Sequence, residues 1–94
     1  MITKAQEKLL VALMRNGARS PYGAEHSTAR ALAVRDLVTN ARGRLRITIK
    51  GLGALESHRQ AKWAKHGCVA YLEDLKEVTE ALKLRIAREG GSQS

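Results

Sequence analysis

Phenylalanine is absent, and the whole aromatic complement is Trp63, Tyr22 and Tyr71. So few rings leave little surface for stacking unpaired bases, and the core must be filled by Leu, Val, Ile and Ala. Cysteine occurs once, at Cys68. No disulfide can close within the chain, so a reducing, cytoplasmic setting is expected. Long apolar runs are missing too. The start Met1-Ile2-Thr3-Lys4-Ala5-Gln6-Glu7-Lys8 puts no hydrophobic stretch behind a basic one, so neither a signal peptide nor a membrane span is expected. Acidic groups are scarce, with 9 Asp and Glu against 17 Lys and Arg.

Recognisable chemistry is equally thin. His66-x-Cys68 is too close and too isolated for a structural zinc site, which needs paired ligands at set spacings, and His26 and His58 stand apart from it. A cysteine nucleophile needs a base oriented by a third group, and His66 beside Gly67 supplies no such order. The adjacent acids Glu73 and Asp74 fall in a charged stretch that implies no cleft. Gly51-Leu52-Gly53 lacks the further glycine and the lysine of a phosphate loop. No metal, cofactor or enzymatic activity is expected.

What remains is a basic chain of 94 residues, 44% hydrophobic and 28% charged, which suits one small folded domain. Its net charge of +8 is unevenly placed. Residues 1–50 carry ten Lys and Arg against Glu7, Glu25 and Asp36, a balance of +7. Residues 51–67 add +2, and residues 68–94 are nearly balanced at −1. The first two thirds thus suit a polyanionic partner, or a solubilising surface, and the last third a pairing role.

Periodicity sets out the elements. Residues 4–15 repeat as a helix with Ala5, Leu9, Ala12 and Leu13 on one stripe and Leu10 and Met14 beside it. Thr3 and Gln6 have capping-box spacing, and Asn16-Gly17 is a stop. Residues 18–27, with Ser20-Pro21 and Gly23, read as a loop or a single turn. Ser27 or Thr28 is expected to cap a second helix to Arg35, with Ala29, Leu32 and Ala33 inward and Arg30, Ala31, Val34 and Arg35 outward.

Leu37-Val38-Thr39 reads as extended, residues 40–43 as a turn, and Arg44-Leu45-Arg46-Ile47 as a strand with both arginines outward. Thr48 can cap a third helix over 49–65, with Ile49, Leu52, Leu55 and Trp63 inward and His58, Arg59, Lys62 and Lys65 outward. Gly51 and Gly53 weaken its first turn and allow a close backbone approach. After the break at His66-Gly67, a long helix reaches about Arg88. Its seam of Cys68, Leu72, Leu75, Thr79, Leu82 and Ile86 alternates spacings of four and three, with Val69, Val78 and Leu84 widening the apolar face. The expected organisation is a basic domain over 1–67, a dimerisation helix over 68–89 and a disordered tail over 90–94.

The order of residues 27–38 and 43–55 resembles the core of winged helix-turn-helix domains. Thr28 and Leu32 match that superfamily's recognition helix, and Leu37-Val38 its exit. Arg44, Arg46 and Ile47 match the returning strand of its wing, and Thr48, Gly51 and Leu55 the helix after it. Asp36 stands where glycine is usual; aspartate tolerates the left-handed conformation better than most residues. Residues 18–26 are short and broken where a full second helix is normal.

The resemblance, over about residues 5–60, implies a mainly α fold with a small β-hairpin and an added C-terminal helix. It implies double-stranded DNA as partner, with 28–35 as recognition helix and 39–46 as wing. Ser27, Thr28, Arg30 and Arg35 would meet the major groove, Arg42, Arg44 and Arg46 the backbone or minor groove, and Lys50 a phosphate. The seam residues would pair two copies into a homodimer acting in transcription regulation. The rivals are a small basic protein–protein module, an inhibitor or adaptor with an acidic partner, and an unspecific nucleic-acid packaging protein.

Overall fold

The computed structural model describes residues 2–21, 23 and 25–90. The chain is mainly helical with one two-stranded antiparallel hairpin: α1 (Lys4–Asn16), α2 (Glu25–Val34), β1 (Val38–Ala41), β2 (Arg44–Ile47), α3 (Ile49–His66) and α4 (Val69–Gly90). Residues 91–94 of the expected tail lie outside the described residues.

Thr3 caps α1 as its spacing predicts. Its hydroxyl accepts from the Gln6 N–H at 3.1 Å, and the Gln6 side chain accepts from the Thr3 N–H at 3.0 Å. Gly17 ends the helix at φ 79° and donates to the Leu13 carbonyl. Leu9, Leu10 and Leu13 are buried, whereas Ala5, expected on the same stripe, is exposed.

The second helix begins earlier than expected. Ser27 and Thr28 are not caps, because α2 starts at Glu25 and holds both within its first turns. Both Glu25 oxygens receive Arg19 Nη2, at 2.7 and 2.6 Å, and a carboxylate in a first turn is favoured by the helix dipole. At the other end, Leu37 donates to the Leu32 carbonyl and Asp36 to that of Ala33. Asp36 has φ 61°. These are the two bonds and the left-handed residue of a Schellman stop, with buried Leu32 and Leu37 as its apolar contact.

The hairpin pairs Val38 with Ile47 through Ala41 with Arg44, so β1 runs one residue later and longer than the expected 37–39. Arg42 and Gly43 form the loop at φ 56° and 78°. Positive φ at both positions is the type I′ requirement, whose twist matches that of the strands. On its other side β2 exchanges two backbone hydrogen bonds with Arg19, 3.1 and 2.7 Å long, from Leu45.

Thr48 caps α3 by accepting from the Gly51 N–H at 2.9 Å, and its hydroxyl donates to the Asp36 carbonyl at 2.7 Å. A Cβ on Gly51 would collide with the Leu37 carbonyl oxygen, so this glycine is what lets α3 press against the exit of α2. Gly67, left-handed at φ 64°, turns the chain into α4, which runs back along α3. One core collects Leu9, Leu10, Leu13, Leu32, Leu37, Val38, Leu45, Ile47, Leu52 and Leu55 with Val78 of α4.

Two inward–outward expectations on α3 are reversed. Arg59 is buried at 5% exposure, donating from Nη1 to the Asp74 carbonyl at 2.6 Å and to Glu77 at 3.2 Å. Trp63, expected inward, is exposed at 37%. His58 is half-buried, its Nε2 lying 3.4 Å from Glu7. No helix among the described residues is long and apolar enough to cross a membrane.

Candidate nucleic-acid interface

α2 turns Ala29 and Leu32 into the core, so its opposite face is fixed: His26, Ser27, Arg30, Ala31 and Val34 line one shallow surface. Arg30 is exposed and makes no hydrogen bond or ion pair with another described residue. Thr28 is half-buried, and Ser27 is exposed but engaged. Because α2 starts at Glu25, Ser27 sits in its first turn and Thr28 just after it, and the Glu25 carboxylate of that turn is held by Arg19.

On the hairpin, antiparallel register decides which side chains share a face. Val38 and Ile47 point inward together, so Thr39 with Arg46 and Ala41 with Arg44 point outward. The type I′ loop places Arg42 at the tip. Arg44 is partly committed, its Nη2 donating to the Ala18 carbonyl at 3.1 Å. Arg42 and Arg46 are exposed and have no hydrogen-bond or ion-pair partner among the described residues.

Four of the expected contact residues, Arg30, Arg35, Arg46 and Lys50, line three grooves. Arg30 and Asn40 line a groove between α2 and the inner side of the hairpin. Arg35 and Lys50 line a second, across Leu37 and Gly53. Arg46 and Lys50 line a third with Thr39 and Arg85. Lys50 therefore borders two of them, while Arg30 and Arg46 share none of these grooves.

Arg85 is a member that the sequence reading passed over. It lies in the last turns of a helix read only for its apolar seam, and its Nη1 donates to the Ile47 carbonyl at 2.8 Å. That bond ties α4 to the arginine-bearing strand. A cation that follows an apolar seam by three residues, Leu82 to Arg85, is the one signal that could have marked it.

The seam itself is largely spent inside the chain. Leu75 and Leu82 pack on the core, and Thr79 Oγ1 donates to Glu56 of α3 at 2.9 Å. Leu72 is half-buried, and only the ends, Cys68 and Ile86, are exposed. Turned the other way are Glu73, Lys76, Glu80 and Lys83, in weak pairs at 4.0 Å. Among the described residues no group of His, Cys, Asp and Glu is placed to hold a metal ion. No family model, curated protein or solved structure matches this chain.

Proposed function

We propose that this chain is a DNA-binding transcriptional regulator of the winged helix-turn-helix kind, holding duplex DNA mainly through its hairpin and secondarily through α2. The observation that carries this reading is a pair of guanidiniums, Arg42 at the tip and Arg46 on the outer face, which with Lys50 have no hydrogen-bond or ion-pair partner among the described residues. Counter-charges elsewhere are used up: Glu25 by Arg19, and Glu77 by Arg15 and Arg59. Cations left without acids on a projecting ribbon are what a phosphate backbone attracts, with release of condensed counterions.

The residues of the resemblance also support it through the structural work they do. Asp36 takes the left-handed exit, Thr48 caps, and Gly51 permits the close approach. Among the described residues no further helix lies between α1 and α2, where the superfamily has one, and Arg30, on the outer face of α2, has no hydrogen-bond or ion-pair partner among those residues. The grip is therefore weighted to the backbone, with modest discrimination among sequences, and regulation would act by occlusion or recruitment at a promoter. Two copies would pair through the exposed ends of the seam, Cys68 and Ile86, since its middle is covered.

Binding to a random duplex library, measured across salt concentrations, tests this. Replacing Arg42 and Arg46 by alanine should weaken binding at least tenfold and reduce the log–log salt slope by about 1.8, at about 0.9 per lost phosphate contact. Unchanged affinity and slope would remove the hairpin from the mechanism. A second reading, a module for an acidic protein surface, is favoured by Val34, which is 79% exposed beside exposed Ala31. It is distinguished by the absence of any duplex preference and by loss of partner binding in Val34→Asp.

A further inference from the structure

Where the end of α1, strand β2, α3 and the last turns of α4 meet, a cavity of about 270 Å³ opens to the surface. Its floor is apolar: Leu13, Ile47 and Leu52 are buried around it, and Ala81 and Leu84 form its α4 wall. Leu84 is 66% exposed, an apolar side chain left largely open among the described residues. Its other lining residues include three arginines, Arg46, Arg85 and Arg88. Arg85 is held in place by the Ile47 carbonyl and by Glu89 at 2.9 Å, whereas Arg46 and Arg88 have no partner among the described residues.

We infer that this cavity is a binding site for a small amphipathic monocarboxylate, its chain or ring against Leu84 and Ala81 and its carboxylate between Arg46 and Arg88. Size limits the ligand, because 270 Å³ lies just under the usual range of small-molecule sites. An eight-carbon acid is about the right scale.

Charge decides for a single anion. Of the three guanidiniums Arg85 is met by the Glu89 carboxylate, and Arg46 and Arg88, without partners among the described residues, are left for an anion. A planar fork of N–H donors matches a carboxylate in geometry as well as in sign. The apolar wall excludes a bare inorganic anion as the best occupant, because Leu84 would stay wet. The site stands whether or not the chain binds DNA.

Octanoate, kept below its aggregation concentration, is titrated calorimetrically beside octanol and inorganic phosphate at fixed ionic strength. Octanoate should bind with a Kd of roughly 0.1–1 mM, and the other two at least tenfold more weakly. Arg46→Gln and Arg88→Gln should each weaken octanoate about tenfold, in line with one lost charge-assisted hydrogen bond. Converting both to glutamate should transfer the preference to octylamine. Ala81→Leu, which fills the cavity, should abolish binding, with circular dichroism reporting its fold; should it fail to fold, the arginine variants decide. Equal binding of octanol, or octanoate affinity unchanged in both glutamine variants, would overturn the assignment.

Discussion

Replacing Glu77 by glutamine removes a carboxylate that serves two arginines on different helices. Arg15 of α1 meets it with two bonds, Nε to Oε2 at 2.7 Å and Nη2 to Oε1 at 2.9 Å. Arg59 of α3 reaches Oε1 at 3.2 Å from a buried position. The Arg15 pair is largely in water, and such pairs contribute about 0.5–1 kcal/mol. Stranding a fully buried partner costs about 3–5 kcal/mol. Glu77 is about a third exposed and Arg59 keeps the Asp74 carbonyl, so the second part is discounted to roughly 1–1.5 kcal/mol.

The expected loss at neutral pH is about 2 kcal/mol, or roughly 10 °C in melting temperature for a domain of this size. The hydrogen bond from Arg15, then that from Arg59 and the charge of both guanidiniums, hold the Glu77 carboxyl below its ordinary value against a smaller opposing effect of burial. A lowered folded pKa gives stability that is complete above the ordinary glutamate value and lost as pH falls through the lowered one. The deficit of Glu77→Gln should therefore shrink on acidification, as the protonated wild-type side chain comes to resemble the amide. Urea denaturation followed by helical circular dichroism, at neutral and strongly acidic pH, measures both quantities. A neutral-pH loss under about 0.5 kcal/mol, or a deficit that does not narrow in acid, would refute the clamp.

Two further substitutions probe the junction that sets the hairpin beside α2. Gly51→Ala should destabilise by about 3 kcal/mol, because the new methyl meets backbone oxygen and Ile47 Cγ1 at 2.9 Å. Gly53→Ala, with nothing within 4 Å of the added carbon, should stabilise by about 0.5–1 kcal/mol through helix propensity. Urea midpoints moving the same way for both would contradict this geometry. Asp36→Val should cost about 1–2 kcal/mol, since a β-branched residue resists the φ of 61° observed there, whereas Asp36→Gly should be neutral or stabilising in the same assay.

The elements that sequence reading placed well are those whose signals are local. Thr3 and Thr48 cap because a hydroxyl three residues before a free N–H closes a short ring, a matter of spacing alone. The alternation Arg44-Leu45-Arg46-Ile47 yields its strand and its two faces in the same way. Residues whose position depends on a partner far along the chain were misread. Arg59 looks like a solvated cation until Asp74 and Glu77, 15 and 18 residues on, supply acceptors for its buried guanidinium. α2 starts at Glu25, which Arg19 grips, ahead of the better-looking caps Ser27 and Thr28.

The seam on α4 misled differently. A repeat of four and three residues describes the stripe a helix buries without saying whether the neighbour is a second copy or its own chain. Here Glu56, the acceptor for Thr79, belongs to α3 of the same chain. Of the expected DNA-contact set, the pattern located Arg30, Arg42, Arg46 and Lys50 on the surface. It could not foresee that Arg44 would be partly engaged by Ala18, or that Arg85 would line a groove with Arg46 and Lys50.

Arg46 belongs to both proposals, and this has a thermodynamic consequence. The same guanidinium cannot give its fork to a phosphate of the duplex and to a carboxylate in the cavity at once. Ligand and DNA are then competitors for one side chain, and each must weaken the other by the same factor, because linkage is reciprocal. No conformational change is required. Arg85 strengthens the point, since its bond to the Ile47 carbonyl fixes the cavity wall to the very strand that carries Arg46. If both proposals hold, one cation placed where both can reach it is enough to couple a small acid to a grip on DNA.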